Sequence, residues 1–143
     1  MNWLMLIPTI FVLIAIGVYW HIKKRLPYSI SQVALYGKNG KYMVGVVLVA
    51  TSVCVWLGGD FDWAHWLFCV SCLFIAVMPL TNKDNTKAHM VAAIVAGISA
   101  AVIGSACNWY PFVWVIYVMY SLLTEGKYKV LVAEACCAAG LLI

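Results

Sequence analysis

HIKKRLPYSISQVALYGKNGK, residues 21–41, is the one long polar interruption in an otherwise apolar chain of 143 residues, and it holds five of the nine Lys and Arg. What this loop separates decides the fold. Before it, residues 3–20 form an unbroken hydrophobic segment; after it, apolar runs return with only short breaks. With 66% hydrophobic and 10% charged residues, the composition lies far outside the soluble globular range. Nearly every segment is therefore expected to face lipid or another buried helix, and residues 1–143 are read as a single all-α, integral membrane domain.

Six apolar segments follow from the punctuation: residues 3–20, 42–57, 63–80, 89–106, 109–123 and 130–143. The first lacks a basic leader, is too long for a typical signal peptide and ends in Lys23, Lys24 and Arg25, which reads as an uncleaved transmembrane helix. Pro8, about one turn inside it, introduces a potential kink. In the loop, Pro27 and the run Gly37-Lys38-Asn39-Gly40 break helical structure. Between them SISQVALY, residues 29–36, places Ile30 and Val33 at near-helical spacing, as in a short amphipathic helix lying among headgroups. Residues 130–143 are the shortest segment, about 21 Å at 1.5 Å per residue, less than a hydrocarbon core of about 30 Å.

Charge tests this segmentation. Lys23, Lys24, Arg25, Lys38 and Lys41 fall in the first connection, Lys83 and Lys87 in the third, Lys127 and Lys129 in the fifth. None falls in the second or fourth. By the positive-inside rule the odd connections belong in the cytoplasm and both termini outside it, giving six transmembrane helices of a bacterial inner-membrane type. Basic cytoplasmic loops also account for the net charge of +4, so nucleic acid is not expected as a partner. Trp3, Tyr19, Trp20, Tyr42, Trp63, Trp66, Trp109 and Tyr110 lie at segment ends, where aromatic rings collect at membrane interfaces.

The small residues Ala92, Ala93, Ala96, Gly97, Ser99, Ala100, Gly104 and Ser105 let helix backbones approach, so the fourth segment is expected at the centre of the bundle. Ala135, Ala138, Ala139 and Gly140 imply close packing of the sixth as well, whereas the aromatic fifth is expected to face lipid or a pocket.

Charged groups inside spans are costly unless paired, and only Glu134 qualifies clearly. His89 begins the fourth segment at a similar depth, so a hydrogen bond between Glu134 and His89 is geometrically reasonable. With Ser29 and Ser31 they form the expected polar cluster, while Lys23, Lys24, Arg25, Lys38 and Lys41 are the expected headgroup contacts. Asp60, Asp62 and His65 have metal-ligand chemistry, but carboxylates at a helix start are more simply caps. Cys69 and Cys72, inside a span, read as packing residues rather than a redox or metal pair. No nucleophile has a recognisable base and orienting acid, no phosphate-binding glycine loop appears, and neither a cofactor nor a metal is expected.

The phrase LPYSISQVALYGKNGKYMVGVVLV, with Pro27, Ser29, Ile30, Ser31 and Tyr36, resembles the segment after the first helix in Frag1/DRAM/Sfk1-like and DUF998-like membrane proteins. His89, Ala92 and Ala93 are similar to a second feature, a His opening a small-residue helix. The resemblance covers about a third of the chain and implies a six-helix bundle of lipid or membrane homeostasis without an established catalytic centre. The expected function is thus non-enzymatic lipid binding, with membrane lipids as partners and a homo-oligomer or a membrane-protein partner in reach. Alternatives are an oligomeric pore or membrane-disrupting effector, as in prokaryotic defence, and a lipid-acting enzyme using Glu134 and His89.

Overall fold

The computed structural model describes residues 3–34, 40–58, 62–77 and 86–142, apart from the side chains at 31, 34, 40, 41 and 86. All regular structure among them is helical. A 3-10 turn, Trp3–Met5, leads into α1 (Leu6–Lys23), followed by α2 (Ile30–Ala34), α3 (Gly40–Gly58), α4 (Trp63–Val77), α5 (Thr86–Gly104), α6 (Tyr110–Leu123) and α7 (Lys129–Leu141). The six apolar segments reappear as α1 and α3–α7, with each described boundary within three residues of expectation.

The differences have local causes. Helix α1 runs past Trp20 through His21 to Lys23 and stops where Lys24 adopts a left-handed φ of 54°, its N–H bonded to the Trp20 carbonyl at 2.7 Å. Pro8 lies in the first turn of α1, where a missing N–H removes no helical bond, so the expected kink has no basis. Helix α5 starts three residues early, at Thr86, because no Gly or Pro stands between Thr86 and His89 to stop it.

Side-chain contacts fix the register. Along α3 and α4, Trp56 meets Trp66 edge-on at 4.5 Å, the Cys69 thiol donates to the Ser52 carbonyl at 3.4 Å, and Gly45 lies by Ala76, so the two run antiparallel. Along α5 and α7, Gly97 faces Cys137 while Ala100 and Gly104 face Gly140. Those numbers rise together, so α5 and α7 are parallel. Helix α6 returns antiparallel to α7, with Tyr110 against Cys136 and Tyr120 against Tyr128. The packing order is α1, α3, α4, α5, α7, α6, and α2 rests on α1 and α3.

Helix α5 therefore lies between α4 and α7, as its small residues require, with Ala92, Ala96, Ser99 and Ala100 buried. Helix α6 packs chiefly on α7 and leaves Phe112, Ile116 and Leu122 exposed. The core gathers Met5, Val55, Phe68, Cys69, Cys72, Ala96, Ala100 and Leu141, residues from the 3-10 turn before α1, the end of α3, the middle of α4, the later part of α5 and the end of α7. It is concentrated at one end of the bundle, here the Tyr110 end. The opposite, Tyr128 end carries the C-terminus of α1, α2 and the N-terminus of α7.

Tyr19 and Tyr110, expected at an interface, are instead buried at 4% and 2% exposure. For Tyr110 the cause is the slot left by Gly104 and Gly140, in which its hydroxyl donates to the Cys136 carbonyl at 3.0 Å.

Among the described residues two helices, Trp3–Lys23 and Lys87–Gly104, are long and apolar enough to cross a membrane; Tyr42–Gly58, Trp63–Val77 and Tyr110–Leu123 are shorter apolar helices. Helix α7, with 13 residues, spans about 20 Å.

Candidate functional site

The Tyr128 end is built on the turn that follows α1. Leu26 and Pro27 bring the chain back toward the bundle, with Pro27 fully buried. Ser29 then caps α2: the Gln32 N–H donates to the Ser29 hydroxyl at 3.2 Å, and the Gln32 side-chain oxygen accepts from the Tyr28 N–H at 2.6 Å. This pair of reciprocal bonds resembles a capping box and explains why a five-residue helix forms at Ile30–Ala34.

The first N–H of a helix has no partner within it. That of Ile30 donates to the Glu134 carboxylate, on α7, at 2.6 Å. One turn earlier on α7, the Leu131 N–H donates to the Tyr28 carbonyl at 3.1 Å. The Tyr28 and Tyr128 rings stack, 5.8 Å apart at 25°. Two backbone-directed bonds and one ring pair thus fasten the first connection to the start of α7, across about a hundred residues of sequence.

The cations of this end are placed by the same rings. Arg25 lies 5.7 Å from the centre of Tyr28 and Lys127 5.6 Å from that of Tyr128. Lys23, Lys24, Arg25, Lys87, Lys127 and Lys129 are all exposed. Since α5 and α7 are parallel and Tyr28 meets Tyr128, every one of these six belongs to the Tyr128 end.

Of the expected cluster, the structure brings Ser29 beside Glu134 through Ile30. His89 is half-buried on α5, and among the described residues no hydrogen bond joins it to Glu134, whose carboxylate is occupied by the Ile30 N–H. The side chains of Ser31 and Lys41, and all of Lys38, lie outside the described residues. Sequence reading missed Tyr28, Lys127 and Tyr128 as members of this site. The aromatic beside a cation in each connection was the available signal; their meeting was not.

At the Tyr110 end, Asp62 caps α4. Its carboxylate accepts from the His65 backbone N–H at 3.0 Å and lies 2.7 Å from the His65 ring Nδ1. The backbone bond first, and the ring second, hold its carboxyl below the usual aspartate range. Asp60 lies outside the described residues. Cys69 and Cys72 are buried in the core, as packing residues would be.

No family model matches the sequence, and no curated protein and no solved structure matches the chain.

Proposed function

We propose that the protein is a six-span integral membrane protein that binds lipid without catalysis and serves membrane homeostasis, its basic Tyr128 end facing the cytoplasm and engaging anionic headgroups. The observation that carries this reading is the division of its surface. All the described Lys and Arg collect at one end, while the helix flanks expose large apolar side chains such as Phe11, Val46, Phe112 and Leu122. An apolar surface this extensive is stable in water only when covered, and a bilayer covers it on every side at once. A cation near an acidic leaflet contributes about 1 kcal/mol of attraction.

Helix α7 is short for a span, and the latch to Tyr28 and Ile30 compensates by capping its start with chain rather than water. The expected likeness to lipid-homeostasis proteins points the same way.

Two measurements test the reading. Lipid extraction and mass spectrometry of the purified protein is expected to show enrichment of anionic phospholipid; recovery of lipids in bulk-membrane proportion counts against it. For topology, Gly58→Cys and Asn82→Cys, each in a background with the native thiols replaced, are expected to label from opposite sides of the membrane. Labelling from one side removes the six-span arrangement.

A further inference from the structure

Between α6 and α7 runs a groove of about 330 Å³, lined by Val113, Ile116, Leu131, Val132, Ala135 and Cys136. Its lining is apolar, and the Cys136 thiol is turned to the Val113 carbonyl at 3.6 Å. At the Tyr128 end it begins at Leu131, the residue whose N–H is bonded to Tyr28. The mouth of the groove is therefore tied to the stacked Tyr28 and Tyr128, with Arg25 over one ring and Lys127 over the other. Among the described residues neither cation has a carboxylate partner in an ion pair.

An apolar slot with two positive charges at its mouth complements an amphiphile with an anionic head. We propose that this is the seat of one anionic phospholipid, with an acyl chain along the α6–α7 groove and the phosphate drawn to Arg25 and Lys127. The seat rests on the lipid-binding reading above and gives it an address. It also changes the expected headgroup residues: Arg25 remains, and its partner comes from the fifth connection rather than the first. The groove of about 400 Å³ between α4 and α5 provides a contrast, since among the described residues only Lys87 adjoins its lining, at Ala88, and no ring-held pair of cations stands there.

The test compares the detergent-purified full chain with Arg25→Ala/Lys127→Ala, Ala135→Phe and the charge-matched control Lys23→Ala/Lys87→Ala, by native mass spectrometry during titration with phosphatidylglycerol, phosphatidylcholine or glycerol phosphate. The wild type is expected to retain one phosphatidylglycerol in preference to phosphatidylcholine. Removing Arg25 and Lys127 weakens this roughly a hundredfold, through the loss of two charge-assisted contacts to one phosphate. Ala135→Phe, which fills the groove, abolishes the one-to-one complex, and the control, which removes two cations of the same basic end away from the tyrosine pair, loses clearly less than the Arg25 and Lys127 variant. Arg25→Lys/Lys127→Arg restores binding and guards against loss through misfolding, as does an unchanged circular dichroism spectrum in each variant.

Equal losses in the control would mean diffuse attraction and overturn the seat. An unaffected Ala135→Phe would remove the acyl chain from the groove. Full competition by glycerol phosphate would make free phosphate the ligand and overturn the lipid assignment. If the wild type itself shows no preference for phosphatidylglycerol, the lipid-binding reading fails, and the seat with it.

Discussion

At the Tyr110 end of the bundle, Gly104, Gly140 and the Tyr110 ring meet where no further carbon fits; at the Tyr128 end, hydrogen bonds, a tyrosine stack and two ring-held cations join the first connection to α7. The first joint is steric. A Cβ on Gly140 would lie 2.8 Å from both the Ala100 carbonyl oxygen and the Tyr110 ring, and one on Gly104 would lie 2.7 Å from that ring. The second joint is directional, held by two backbone N–H groups that would otherwise lack partners. The closed end anchors the bundle chiefly by contact, with the Tyr110 hydroxyl bond to Cys136 buried inside it, and the hydrogen-bonded end can exchange partners with headgroups and water. That difference is why the proposed lipid seat lies where it does.

The comparison is broken most forcefully at the steric joint. Gly140→Ala is expected to destabilise by about 1–3 kcal/mol through overpacking against backbone, although the same change in an exposed helix would gain about 1 kcal/mol. Thermal unfolding in detergent measures it, and a variant as stable as the wild type would show that α5 and α7 do not meet so closely. At the other end, Glu134→Ala orphans the Ile30 N–H, an expected local loss of about 1–2 kcal/mol. Hydrogen exchange should rise at amides 28–34 and stay unchanged near Tyr110. Glu134→Gln keeps an acceptor and should largely preserve protection; if it exchanges as fast as the alanine variant, the carboxylate is needed for more than this bond.

A smaller effect separates a simple cap from both joints. Asp62→Ala should cost about 1 kcal/mol, and Asp62→Asn much less. Because His65 holds the folded carboxyl below its ordinary value, the contribution of Asp62 is fully present above the unfolded pKa of about 4 and is lost as the pH falls through the lower folded value. Unfolding followed between neutral and acid pH checks the sign: Asp62→Asn should abolish that part of the acid sensitivity. A change of similar size is expected for Tyr28→Leu, about 0.5–1.5 kcal/mol for the lost ring pair, seen as faster exchange at the Leu131 amide.

Much of the fold was legible because apolar runs and their breaks are local. Residues 63–80 and 109–123 announced α4 and α6 through the polar and turn residues around them, and the small residues of α5 announced its place between two neighbours. The candidate site was legible only in part. Glu134 stood out as a carboxylate in an apolar run, but its partner was expected in His89, a side chain at similar depth, and proved to be the backbone of Ile30. A main-chain donor carries no mark in the sequence. Nor does the burial of Tyr110, since an aromatic at a segment end reads equally as an interface ring until two glycines from other helices open a slot for it.

Composition and the spacing of polar breaks were enough to determine that the described chain is helical, where its apolar helices run, and in which connections the cations fall, because those properties depend on neighbours in sequence. Tertiary structure alone decided that α5 and α7 run parallel in glycine contact, that Tyr28 reaches Tyr128, and that Arg25 and Lys127 flank one tyrosine pair. Such meetings join residues tens of positions apart or more, and they are selected by the complementarity of whole helix surfaces rather than by any local preference of the chain.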